Sequence, residues 1–361
     1  MRIDSRRADS WTRAALCPPR AHGAPLARAE LKAQPEDFRV EEVLSFVPAG
    51  EGSHWLLQVE KRSSNTRWVA AEIARRAGVP AGDVGYAGLK DRHAVVVQWF
   101  SVPARSQSAD FWRHVHADEF KVLDVKANTR KLRRGALCGN RFRIRLRNVA
   151  WSREQLDIKL AALRTRGAPN YFGPQRFGRQ GRNLDHVARW AQSGVKPRGR
   201  TEREFALSAA RALLFNAVLA RRVQATDWSR MEVGDLASLE GSGSHFRVTV
   251  LDDELRRRLE TFDVHPTGPL WGRGEPESSG SSLDLEREVA REFHEAADLL
   301  AAEGLSQERR ALRCAVRELS VEADAQTLTL SFSLGRGQYA TAVLREICDF
   351  DAEPPFESDA G

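Results

Sequence analysis

From residue 141 to 147 the chain alternates without a break. Arg141, Arg143, Arg145 and Arg147 are interleaved with Phe142, Ile144 and Leu146. Successive side chains of a strand point to opposite sides, so this segment reads as a strand with one cationic and one apolar face. Other short apolar runs read as strands as well: 38–47 and 54–59, bounded by Pro48, Gly50 and Gly52, then 83–87, 94–102 and 120–125. Strands return at 319–321 and 328–334, with Asp324 near the connecting turn. Between these groups, over about 167–315, the pattern changes to a Gly-rich loop and mainly helices, including 205–223 and 285–302. A loop rich in Pro, Gly and Ser, 266–282, lies inside that block. Strand-rich segments around a helical block are expected when one domain is inserted into another.

Local punctuation fits this reading. Asn65 can cap a helix over 66–77, which Gly78 ends. Leu156, Leu160 and Leu163 have helical spacing, and Gly167 closes that helix. A last helix is expected over 339–348. Residues 1–28 mix Arg, Ala, Pro and Ser without periodicity and read as a mobile arm. A chain of 361 residues suggests two domains or one with a large insertion.

Several function classes are disfavoured. Arg211 and Asn216 interrupt the longest apolar run, 209–220, which is far short of a membrane span. Arg2, Arg6 and Arg7 are followed by no apolar block, which argues against export and for a cytoplasmic protein. Cys17, Cys138, Cys314 and Cys348 are scattered, without a Cys-x-x-Cys pair, and read as reduced thiols. His114 and His116 stand apart from other ligands, so no metal site is expected.

The net charge of +7, with nine Trp and sixteen Phe, suits a polyanionic partner. Between 130 and 147 lie Arg130, Lys131, Arg133, Arg134, Arg141, Arg143, Arg145 and Arg147 with no acid among them. Such a run also fits an ordinary exposed strand face, but clustering without any carboxylate favours a phosphate-tracking surface that contacts RNA. Arg176, Arg179 and Arg182, spaced along the Gly-rich loop, form a second candidate contact.

The densest segment for chemistry is 85–100, Gly-Tyr-Ala-Gly-Leu-Lys-Asp-Arg-His-Ala-Val-Val-Val-Gln-Trp-Phe. It is not a P-loop, because Lys90 does not follow a Gly and no Ser or Thr follows it. What remains is Asp91 between two cations on a loop joining two strands. By its residue types alone, a turn Asp in a solvated salt-bridge cluster is the commoner situation.

This block resembles the signature of the TruD family of pseudouridine synthases, in which the Asp of Gly-x-Lys-Asp-x-His-Ala-Val is catalytic. Four more segments agree in order and spacing: 31–38 (Leu-Lys-Ala-Gln-Pro-Glu-Asp-Phe), 139–142 (Gly-Asn-Arg-Phe), 167–178 and 332–341. The resemblance covers nearly all of the chain after residue 30. Val96 stands where the family usually has Thr, and Gly335 and Arg336 where it usually has Pro; residues 1–28 exceed the usual lead-in.

The resemblance implies an α/β fold: a mixed, mainly antiparallel catalytic sheet in circularly permuted order, with an inserted, helix-rich TRUD domain. The implied boundaries are 29–166 and 316–361 for the catalytic domain and 167–315 for the insertion, with RNA in the cleft between them. It implies isomerisation of uridine in tRNA, at position 13, without a cofactor, and it implies no protein partner. Lys32 matches a lysine near the catalytic Asp, Asn140 a neighbouring polar residue, and Phe142 the aromatic that stacks on the target base. Phe38 and Phe332 match further cleft aromatics. From the residues alone, Lys32 is a solvated lysine ahead of a strand, and Phe142 a core residue beside Ile144 and Leu146. A carboxylate near the sugar can act as a base at C2′ or as a nucleophile, and the residues do not choose between these. Two other classes compete with this reading. A non-catalytic RNA-binding protein or chaperone would not need Asp91. A nucleotide-dependent enzyme would need a phosphate cradle that the loops 173–181 and 335–337 do not spell.

Overall fold

The computed structural model describes residues 5–350. In chain order the elements are α1 (Ser5–Leu16), β1 (Glu30–Leu31), β2 (Phe38–Leu44), β3 (His54–Arg62), α2 (Thr66–Ala77), β4 (Gly85–Tyr86), β5 (Val95–Pro103), α3 (Ala109–Arg113), β6 (Phe120–Asn128) and β7 (Leu137–Arg147). There follow α4 (Arg153–Arg166), β8 (Ala168–Pro169), α5 (Arg182–Ser193), α6 (Arg200–Gln224), β9 (Leu236–Leu239), β10 (His245–Arg247), α7 (Asp253–Glu260), β11 (Val264–Leu270), α8 (Gly280–Glu292) and α9 (His294–Ala302). The chain closes with β12 (Glu308–Ala311), β13 (Arg313–Cys314), β14 (Arg317–Asp324), β15 (Thr327–Gly335) and α10 (Ala340–Leu344).

The described chain divides into two compact units. One holds Leu26–Ser152 and Val316–Gly337; the other holds residues 5–25, Arg153–Ala315 and residues 338–350. Thus α4 and residues 338–350 fall with the helix-rich unit, where the sequence reading had put them with the sheet. Residues 1–4 of the expected arm and 351–361 of the expected catalytic domain lie outside the described residues.

The first unit is built on a nine-stranded sheet whose central order is β14-β15-β7-β2-β5-β3-β6, with β1 on β7 and β4 on β5. Only β2 and β5 pair in parallel, so the sheet is mixed and mainly antiparallel, as expected. The alternation of β7 is obeyed: Phe142, Ile144 and Leu146 are buried, while Arg141, Arg143 and Arg145 are exposed. One face is covered by α2. The Asn65 side chain accepts the Trp68 amide at 2.7 Å to start this helix, and Gly78, at φ 66°, ends it in a left-handed turn. Val69, Ala70, Ile73, Ala74 and Ala77 form its buried stripe, packed with Leu57, Val59, Phe100 and Val102 of the sheet.

The second unit packs α1, α5, α8 and α9 around the long α6. Residues 5–16, read above as part of a mobile arm, are helical, and Trp11 and Ala15 are buried with Phe177, Leu184, Trp190 and Phe293. The apolar residues are spaced at one helical face, but the many Arg and Ser between them hid the stripe. The helix expected over 285–302 is two helices that break at Phe293. This unit also contains a four-stranded sheet, β10-β9-β11-β12, in a block expected to be mainly helical. Its β11 carries Pro266 and Pro269, which made it read as loop. The first half of β11 pairs with β9 and the second half with β12, so each Pro has a ladder partner on one side only and its missing N–H can face the unpaired side. No helix among the described residues is long and apolar enough to cross a membrane.

Candidate active site

On the α2-covered face of the sheet, cross-strand partners form one row over five strands. It runs from Lys61 on β3 through Val96 on β5, Val40 on β2 and Phe142 on β7 to Phe332 on β15. One step along the same face stand Gln98, Glu42 and Asn140, of which Glu42 and Asn140 are direct partners. Lys61, Gln98 and Glu42 are fully buried. An unpaired charge in such a position costs several kcal/mol and an unpaired amide somewhat less, so each must find a partner. The loop 87–94 supplies them.

Lys61 donates to the main-chain oxygen of Asp91 at 2.8 Å and to that of Ser64 at 2.5 Å. Gln98 donates to the Gly88 oxygen at 2.6 Å, and its own oxygen accepts the Thr66 hydroxyl at 3.1 Å. The Lys90 amide donates to the Thr66 hydroxyl oxygen at 3.1 Å. The Lys90 ammonium lies 2.8 Å from Glu42 Oε2 and donates to Asn140 Oδ1 at 2.8 Å. The loop is therefore pinned to the sheet at Gly88, Lys90 and Asp91.

The Asp91 carboxylate stays partly open, with 26% of its side chain exposed, and Lys32 Nζ lies 3.3 Å from its Oδ2. The Lys32 ammonium also lies 4.2 Å above the Phe38 ring centroid, and only 8% of its side chain is exposed. Lys32 itself sits at φ 60°, a left-handed conformation that costs a non-glycine residue about 1–2 kcal/mol. Burial pushes the Lys61 ammonium down to about 8; the Asp91 charge opposes this and the Lys90 charge adds to it.

The three candidate aromatics meet. Phe142 stacks on Phe332 with centroids 5.4 Å apart and planes 27° from parallel, and Phe38 meets Phe142 edge-on at 6.3 Å. All three are buried, Phe142 the least, with 9% exposed. The structure thus gathers Lys32, Phe38, Asp91, Asn140, Phe142 and Phe332 on one face of one unit.

The basic residues behave differently. The arginine row of β7 lies on the opposite face from Asn140 and Phe142, and carboxylates from β2, from β14 and from the turn before β2 meet it. Arg141 pairs with Glu41 at 3.7 Å, Arg143 doubly with Glu322 at 2.8 and 2.9 Å, and Arg147 doubly with buried Asp37 at 2.8 Å. The absence of acids from the 130–147 sequence therefore does not leave a bare cationic row. Arg145 has no ion pair among the described residues.

The connection before β7 remains cationic. Arg130, Arg133 and Arg134 are exposed, Lys131 donates to the Gly82 oxygen, and the Arg134 guanidinium lies 4.5 Å above the Tyr86 ring. The Gly135 amide donates to Ala87 at 2.7 Å, tying this segment to the start of the Asp91 loop. Gly135, at φ 80°, lies so close to the exposed Arg336 guanidinium that a Cβ there would come within 2.6 Å of it. In the helix-rich unit, Arg176 donates to the Ser208 and Tyr339 hydroxyls at 2.9 and 2.8 Å, and Arg179 is exposed.

Sequence reasoning missed Glu42, Lys61, Thr66 and Gln98 and gave Lys90 no role beyond its charge. The readable signal was a charge at a core position: Phe38 and Val40 are followed by Glu42, and Leu57 and Val59 by Lys61.

A family model described as tRNA pseudouridine synthase D (TruD) matches residues 21–191 and 200–347. The tRNA pseudouridine synthase D of Methylococcus capsulatus is 47% identical over 93% of this chain and 95% of its own length. That of Nitrosococcus oceani is 48% identical, covering 90% and 91%. A solved structure described as a TruD of Methanosarcina mazei superposes with a TM-score of 0.72 at 21% identity, over 92% of this chain and 96% of that one, and shares the fold. The chain belongs to the TruD family of pseudouridine synthases, which are isomerases.

Proposed function

We propose that the protein converts uridine to pseudouridine in tRNA in the cytoplasm, at position 13, with Asp91 as the reacting carboxylate. The observation that carries this reading is the setting of Asp91. Its main chain is pinned from beneath by Lys61, and its carboxylate is open on one side and faced by Lys32 on another. An extruded uridine must have its N1–C1′ bond broken, its uracil turned and a C5–C1′ bond made. All atoms of the nucleotide are kept, so no group carrier or redox partner has a step to perform. An ionised carboxylate beside the sugar either takes the C2′ proton or attacks C1′. Lys32 sets a positive charge 3.3 Å from that carboxylate. The 130–134 segment and Arg336 supply phosphate contacts on the side of the Asp91 loop. Position 13 and the tRNA substrate rest on family membership.

The test is Asp91→Asn, assayed on unmodified tRNA with no added cofactor. Pseudouridine formation should be lost while tRNA affinity stays within a few-fold. Substantial turnover by the Asn variant overturns the assignment of Asp91, and absence of turnover by the parent protein favours a non-catalytic RNA-binding role.

A further inference from the structure

Asn140 differs from the other polar groups of this face because only half of its carboxamide is occupied. Its Oδ1 accepts from Lys90 Nζ at 2.8 Å. An ammonium has three donors and no acceptor, so chemistry fixes which end of the amide faces Lys90. The Lys90 charge is held in turn by Glu42 Oε2, 2.8 Å away and fully buried, which keeps Lys90 from turning out to solvent. Asn140 is half-buried, and its NH2 group has no hydrogen-bond partner among the described residues. The NH2 group is also not sealed from solvent. It sits one step along the sheet face from Phe142, and Lys90, which holds it, is the residue before Asp91.

We infer that Glu42 and Lys90 are a positioning pair that locks the Asn140 carboxamide with its NH2 outward, so that Asn140 selects a base bearing a carbonyl acceptor. The inference rests on the reading that a uridine is bound beside Asp91. Lys90 is not a catalytic residue in this scheme; it acts through Asn140. Uracil offers two carbonyls, O2 and O4, and either satisfies the donor. A freely rotating amide would present oxygen or nitrogen equally and lose that selection.

The experiment uses tRNA transcripts carrying uridine, 2-thiouridine or 4-thiouridine at the target position, since sulfur is a weak acceptor. For the parent protein, one of the two thio substitutions should lower kcat/KM and affinity by roughly ten-fold, the size of one neutral hydrogen bond, and so identify the carbonyl. Lys90→Met should lower turnover on uridine and reduce the thio penalty to about two-fold or less, because the amide can then turn. Lys90→Arg, still a pure donor, should keep the penalty. If Lys90→Met does not fold, Lys90→Gln replaces it, since its amide still donates to Glu42 but offers Asn140 either end. A merely structural lysine predicts equal losses on all three transcripts, which would overturn the inference. So would a parent protein indifferent to both thio groups. Affinities measured by competition report the contact without turnover, so a parent protein that binds but forms no pseudouridine counts against the synthase reading alone.

Discussion

The Lys61 ammonium lies 2.8 Å from the main-chain oxygen of Asp91, although the two residues come from a strand and a loop thirty residues apart. Lys61 spends its donors on two carbonyls and reaches no solvent. It therefore fixes the peptide that carries the carboxylate and places a positive charge beneath it.

Turnover should fall as pH rises through about 8, where Lys61 loses its proton in the folded protein. Stability moves the other way. The folded pKa lies below the unfolded value near 10.5, so between about 8 and 10.5 the unfolded chain holds more protons, and this group's contribution to stability rises with pH. Lys61→Met should lower kcat by about ten-fold or more, leave tRNA affinity within a few-fold, and remove the alkaline limb. A pH–rate profile with an unchanged midpoint in the variant would separate Lys61 from activity.

Phe142→Leu should affect stability and turnover together. The change removes a stacked contact with Phe332 and an edge contact with Phe38, each worth about 0.5–1.5 kcal/mol. Phe38 in turn carries Lys32, so loosening it should lower kcat by about ten-fold. A double-mutant cycle with Phe332→Leu should give a coupling energy of about 1 kcal/mol. Additive losses would mean that the two rings act independently.

Phosphate contacts should map to the connection before β7. Arg133→Gln with Arg134→Gln should reduce the salt slope of tRNA binding by about two, near 0.9 per lost duplex phosphate contact. Arg143→Gln with Glu322→Gln removes one charge of each sign and should leave the slope unchanged. The reverse ranking, measured by binding titrations at several salt concentrations, would move the RNA to the opposite face of the sheet.

Arg147→Gln should cost stability and not tRNA affinity. It takes both Arg147 hydrogen bonds from the buried Asp37 carboxyl group, so the denaturation midpoint should fall. Chemical denaturation and a binding titration on the same variant decide between the two roles.

The strands, the α2 caps and the order of the motifs were readable because each is written in a short stretch: alternation at 141–147, Asn65 and Gly78 around one helix. Asp91 stood out through resemblance, since its residue type and neighbours describe any surface turn. The clamps beneath it were not readable by those means. Lys61 meets Asp91 and Glu42 meets Lys90 only because β2, β3 and β5 are neighbours in the sheet, and that order is not local information. The ion pairs of the arginine row were not readable for the same reason. Its counter-charges, Glu41, Glu322 and Asp37, arrive from other segments. In the helix-rich unit, β11 was hidden by its two prolines and α1 by the arginines along it.

The pairing of β7 with β15 carries a consequence for synthesis. β15 joins β7 along its whole length, yet roughly 180 residues separate the two, about 10–40 s at ribosomal speeds of about 5–20 residues per second. During that interval β2 can already pair with one side of β7, while the other side is an unprotected edge in a crowded polysome. Nascent chains translated from one message would bring such edges together. Arg141 and Arg147 already meet Glu41 and Asp37 from the β2 side, but Arg143 and Arg145 have no partner there and make two copies repel each other, as charged edge strands do. Once β15 arrives, Glu322 on its neighbour β14 neutralises Arg143, so a charge pattern that guards the growing chain becomes an ion pair in the finished one.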